Sequence, residues 1–177
     1  MQAFWDQGYC ATSMTRLVSA TKLNPGSIYA AFNSKEGLFL AALDHYGKLS
    51  TEKIRRALGE SDSPLAGIRD YFKSLAGTAS DSEAERSCFL VNTILELARH
   101  NKNVQLRVNA HFEAIEACFR TALETAQSTG ELPAGKDPAA LAAFLMSSIW
   151  GVRVLGGTGP APGRIDAVIN QVLKLLD

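Results

Sequence analysis

Three groups of residues carry the chemistry this sequence can offer. The first is the run Pro25 to Ala31, where Gly26, Ser27, Ala30 and Ala31 give one side of a short helix an unusually small, flat surface with Tyr29 beside it. Small residues let a helix backbone approach another surface closely. The second is Cys88, next to Arg86 at the start of a predicted helix, where both neighbours favour a reactive thiolate; the alternative is a small buried cysteine closing a core helix. The third is Asn92, Glu96 and His100, which recur at four-residue spacing and so share one helix face, a polar stripe able to face a pocket. With His111 on the next helix, Glu-x-x-x-His is too sparse for a metal site, and neither metal nor cofactor is expected. No Gly-x-Ser-x-Gly elbow, glycine-rich phosphate loop or nucleophile with its base is present, so the sequence points to binding and not to an enzyme.

The elements that must present these residues follow from caps and spacing. Thr12 or Ser13 can cap a helix in which Met14, Leu17, Val18 and Thr21 fall at helical spacing. Leu23 and Asn24 interrupt that pattern. Asn24 is then a good N-cap and Pro25 suits the first helical position, which predicts a short second helix to about Phe32 with Ile28 and Phe32 facing inward. A third start at Ser34 opens a longer amphipathic run through Leu38, Phe39, Ala42, Leu43 and Tyr46. Two short capped helices around a sharp turn, within residues 12 to 36, have the length of a helix-turn-helix and make the chain a candidate sequence-specific DNA binder.

The string GYxATSMxxLxxATxLNPGSIYAAFxSKExLFxxAL, from Gly8 to Leu43, resembles the DNA-binding domain of the TetR family of bacterial transcriptional regulators. The resemblance implies phosphate contacts from Thr12, Ser13, Tyr29 and Lys35. It also implies base-edge contacts from Pro25, Gly26, Ser27 and Ala30, with Ala31 next to them. Helix N-termini and a lysine suit phosphate, and small residues with a hydroxyl suit thymine methyls and base edges in the major groove. Only seven residues precede Gly8, where the family has a longer first helix and usually a basic arm. The helix-turn-helix is accordingly expected to be less well buttressed, with Phe4 as the last apolar anchor, and to lack contacts from such an arm.

Composition agrees with this reading. The 177 residues are 46% hydrophobic and carry a formal net charge of zero, but the charge is uneven. Residues 1 to 58 hold seven lysines and arginines against four acids, leaving that stretch at +3 and the remainder at −3. Cysteines at 10, 88 and 118 form no paired framework, and no signal peptide is visible, so a reducing cytoplasm is the expected location. The apolar run Leu141 to Leu155 contains Ser147, Ser148 and Arg153 and reads as a buried or interface helix, with no membrane partner.

Beyond residue 58 the pattern is all helical, with predicted helices from Ser63-Pro64, from about Cys88 to Ala98, from about Val104 to Ser128, from Asp137-Pro138 to Leu155, and from Arg164 to Leu176; Thr78 to Ser87 reads as a loop. The expected architecture is all-α. A three-helix helix-turn-helix domain over residues 1–57, its first helix incomplete, joins a helical effector-binding and dimerisation domain over 58–177. The resemblance implies a homodimer formed through the last two long helices, a pseudo-palindromic double-stranded DNA operator, and a small-molecule effector that releases a repressor from it. Ala142, Ala143, Ser147 and Gly151, set among Phe144, Leu145, Trp150 and Val154, suit close packing in an intermolecular four-helix bundle. Effector-pocket candidates are Cys88, Asn92, Glu96, Phe112 and Trp150. The aromatics Phe72, Phe89, Phe112, Phe119 and Trp150 could line an apolar ligand cavity or be core, and core is the reading for most of them. The segment ERSCFLVNTILELA, 85 to 98, resembles a TetR subgroup written GCLLVN, some members of which sense electrophiles or oxidants through cysteine; Cys88 holds the matching position and Ser87 replaces the glycine. The reading from a different class is an all-helical protein-interaction module without sequence-specific DNA binding.

Overall fold

The computed structural model describes residues 1–78, 88–97 and 100–177. Arg86 and Ser87, and nearly all of the predicted loop, lie outside them. Among the described residues the elements are α1 (Gln2–Ala11), α2 (Met14–Thr21), α3 (Pro25–Phe32), α4 (Lys35–Gly59), α5 (Pro64–Thr78), α6 (Phe89–Leu97), α7 (Lys102–Ser128), α8 (Pro138–Gly156) and α9 (Arg164–Leu173), closed by a 3-10 turn at Lys174–Leu176. The starts follow local chemistry. Ser13, Asn24, Ser34, Ser63 and Asp137 each accept a backbone N–H two or three residues on, and proline occupies the opening of α3 and α8.

By packing, the chain divides into two compact units, one of residues 1–49 with 89–111, the other of 50–88 with 112–177. α6 and the start of α7 thus belong to the same unit as α1 to α3 and the first part of α4. The core of the first unit is aromatic. Phe4 meets Phe39 edge-on at 5.1 Å, Phe39 and Tyr46 each meet Phe89 at 5.8 and 5.7 Å, and Trp5 meets Tyr46 at 5.1 Å. Such pairs contribute about 0.5–1.5 kcal/mol each beyond the area they bury. The short front of α1 is thus anchored by Phe4, which is 1% exposed, together with Ala3.

In the second unit, Tyr71 and Phe72 of α5 pack on Phe119 of α7 at 5.7 and 6.3 Å. Arg69 pairs with Asp177 at 2.5 Å, and Gln127 closes the α7–α8 connection by donating to the carbonyls of Pro133 and Lys136. Of the five aromatics left open between cavity and core, Phe72, Phe89 and Phe119 are buried. Ala142 and Leu145 turn into the chain's own interior, whereas Ala143, Phe144, Ser147, Gly151 and Val154 form an exposed stripe along α8.

Candidate nucleic-acid interface

The site is built on two caps and one turn. Ser13 Oγ accepts the Arg16 N–H at 3.2 Å and starts α2. At its other end Lys22 adopts φ +59°, and its N–H closes onto the Val18 carbonyl at 2.9 Å, which turns the chain sharply. Asn24 Oδ1 then accepts the Ser27 N–H at 2.8 Å. Replacing such a cap with alanine typically costs about 1 kcal/mol. Ile28 is fully buried and fixes the rotation of α3 about its axis. Pro25, Gly26, Ser27, Tyr29, Ala30 and Ala31 are left exposed, Tyr29 at 48%. These residues form one exposed outer face of α3.

Lys35 opens α4 beside this face. Its ammonium lies 4.4 Å from the centroid of the Tyr9 ring, which orients a long side chain without neutralising its charge. Burial, with Glu36 adding to it, pushes the Tyr9 hydroxyl up, so the ring stays a neutral partner. Gly37 permits the approach of α3 and α4: a Cβ there would fall 1.9 Å from the Phe32 carbonyl oxygen.

Two predicted contacts are placed differently. Thr12 is fully buried, and its hydroxyl donates inward to the carbonyls of Gly8 at 2.5 Å and Ala3 at 3.1 Å. It therefore has no side-chain surface to offer a phosphate; the exposed Ser13 is the cap. Glu96, expected to line an effector pocket with Asn92, instead receives the backbone N–H groups of Tyr9 and Cys10. His100, the third member of that stripe, is exposed. Sequence reasoning also missed Asp44, which pairs with both Arg107 and His111, and Glu36, which accepts from Asn101 at 2.9 Å. These partners lie more than sixty positions apart, and no local pattern announces them.

In the second unit the expected pocket residues Phe112 and Trp150 come together, with ring centroids 4.6 Å apart. The Trp150 indole N–H is buried and has no acceptor among the described residues. Cys88 is buried at 7% exposure. Near it the Tyr71 hydroxyl is pushed up by burial, with Arg153 pulling it back down. An open cavity of about 430 Å³ lies between Phe144 and the α9 residues Arg164, Ala167, Val168, Gln171 and Val172. A second, of about 620 Å³, lies among Arg55, Leu58, Pro64, Ala117 and Cys118, and none of the predicted pocket residues lines it. Among the described residues no three His, Cys, Asp or Glu side chains come together as a metal site.

An exposed, small-faced second helix in a capped helix-turn-helix, followed by an all-helical carboxy-terminal portion, defines a helix-turn-helix regulator. Residues 1–42 match the family described as bacterial regulatory proteins, tetR family, and residues 64–156 match the tetracyclin repressor-like C-terminal domain. The chain belongs to the TetR family and is a DNA-binding transcriptional regulator. It is 28% identical to the HTH-type transcriptional repressor ComR of Escherichia coli over 176 residues, 99% of this chain and 84% of ComR. Among solved structures, a cysteine mutant of the TetR family regulator CifR, complexed with 26-bp double-strand operator DNA, is 28% identical, covers 99% of this chain and 92% of its own, and superposes with a TM-score of 0.87. Reduced E. coli NemR shares the fold, with a TM-score of 0.88 at 16% identity over 99% of this chain and 92% of its own.

Proposed function

We propose that the protein is a homodimeric repressor that binds a pseudo-palindromic double-stranded operator in the cytoplasm and is released by a small-molecule effector. The observation that carries this reading is the outer face of α3, small, exposed and held by the Asn24 cap, in a chain similar to a regulator solved on its operator. In this reading Pro25, Gly26, Ser27 and Ala30 approach base edges, while Ser13, Tyr29 and Lys35 hold phosphates.

The dimer is supported by α8 and α9. α8 is long and apolar enough to cross a bilayer by length and composition, yet only a third of its apolar stretch is buried within the chain. Phe144 and Val154 on α8 and Val168 on α9 are 44, 47 and 37% exposed. Large side chains beside Ala143, Ser147 and Gly151 suit a second copy packing helix against helix, and the cavity beside Phe144 suits one of that copy's side chains.

The effector site is assigned to the Phe112–Trp150 pair. A buried N–H without an acceptor costs about 1–3 kcal/mol, so a ligand carrying an acceptor and an apolar body would be stabilised there. Moving operator occupancy from about 99% to 1% requires roughly 10⁴-fold preference of the effector for the non-binding conformation. Changing the spacing of two recognition helices through α4 can supply it, because both half-sites must be met at once.

The test is selection of bound duplexes from a random pool at moderate salt. An inverted repeat is the expected result. No enrichment by a folded, dimeric protein would overturn the reading in favour of a protein-interaction module.

A further inference from the structure

We infer that Glu96 is a positioning residue for DNA binding: from α6, its carboxylate holds the turn at Gly8 to Thr12 that sets the start of the helix-turn-helix. The inference rests on the DNA-binding reading above.

The turn is built around one conformational exception. Within α1, Gly8 stands at φ +77° and ψ 175°, so the helix breaks there and the chain resumes at Tyr9 with two consecutive N–H groups pointing away from it. Both go to the same carboxylate, Tyr9 N–H to Oε2 at 3.0 Å and Cys10 N–H to Oε1 at 2.8 Å. Hydrogen bonds to an ionised acceptor are about twice as strong as neutral ones. Gly8 is also required by space, because a Cβ would fall 2.7 Å from Glu96 Oε2. On the other side of the turn the Gly8 carbonyl accepts the hydroxyl of the fully buried Thr12. Ser13, the cap of α2, is the next residue.

Each link thus fixes the next. Glu96 fixes the amides of Tyr9 and Cys10, the turn places the Gly8 carbonyl, that carbonyl seats Thr12, and Thr12 delivers Ser13 to cap α2. The Tyr9 ring set by this turn is the one under the Lys35 ammonium. One carboxylate therefore bears on two of the expected phosphate contacts, Ser13 and Lys35, without reaching DNA itself.

The test uses the full chain and a duplex recovered by selection with the wild-type protein. Glu96→Gln keeps the shape but puts an amide donor against one of the two N–H groups. It is expected to remain folded and dimeric, to bind the duplex about tenfold more weakly, and to exchange the amides of residues 9 to 17 faster; Glu96→Asp is expected to fall between the two. Gly8→Ala should lose less affinity in a Glu96→Ala background than alone, because the collision is relieved. Wild-type affinity in Glu96→Gln, or faster exchange confined to Tyr9 and Cys10, would overturn the positioning role while leaving DNA binding standing. Failure of the wild type to bind any duplex would overturn both.

Discussion

The outer faces of α3 and of the α8–α9 pair are both left exposed by the chain, and they are chemical opposites. On α3 the face is small and carries hydroxyls, with a cation beside it; on α8 and α9 it carries Phe144, Val154 and Val168. A small, flat face with two hydroxyls has little apolar surface to bury, so it depends on a partner that returns hydrogen bonds and charge, as a nucleic-acid groove does. A face of large apolar side chains gains by removal from water, at about 25 cal/mol per Å² of apolar surface, whatever the partner's sequence. The first face can therefore discriminate and the second can bind tightly, which is the division of labour the proposed dimeric repressor needs.

The largest expected effect comes from breaking the apolar face. Phe144→Glu places a charge where a second copy would desolvate it. The protein should become monomeric by light scattering, and apparent operator affinity should fall about 100-fold or more, because two linked half-sites are no longer engaged together. A Phe144→Glu protein that stays dimeric would remove α8 from the interface. Next come Tyr29→Ala and Lys35→Ala, each expected to weaken binding about tenfold across all sequences, with Lys35→Ala also flattening the salt dependence by about one ion per protomer. A change in base preference at constant affinity would show that the residue reads bases. Smaller still is Ser27→Ala, expected to alter preference at a single position by about 1–3 kcal/mol. An unchanged selection profile would take Ser27 out of the readout.

How much of this was legible in the sequence depends on the distance between partners. The α3 face was readable because everything that makes it is local: Ser13 reaches Arg16, Asn24 reaches Ser27, and Ile28 faces inward at helical spacing. The apolar face of α8 was readable as a stripe, although Ala142 and Leu145 belong to the other side of the helix. Thr12 illustrates the limit. Either Thr12 or Ser13 could cap α2 by type, but the Thr12 hydroxyl is taken by the Gly8 and Ala3 carbonyls while Ser13 accepts the Arg16 N–H. Glu96 was legible as a polar residue on a helix face but not as a partner of Tyr9 and Cys10, 87 and 86 positions away. For the same reason Asp44 drew no attention in the sequence, since its meaning lies in Arg107 and His111.

The subtlest effect reports on the turn that carries the discriminating face. Cys10 is exposed, which alone would make it the readily alkylated thiol of the three. Its thiol is pushed up, however, first by its hydrogen bond to the Glu96 carboxylate and then by burial and that residue's charge, with Lys35 opposing. A raised thiol holds less thiolate at any given pH, and the thiolate is the nucleophile. Iodoacetamide at pH 8 should therefore modify Cys10 more slowly than its exposure suggests, and Glu96→Gln should quicken that site several-fold by removing the negative charge. Cys88 is buried and Cys118 is itself pushed up by burial, so site-resolved mass spectrometry separates the three. An unchanged Cys10 rate in Glu96→Gln would mean that the carboxylate does not sit on this turn in solution. In that case the α3 face would owe its position to its own two caps alone.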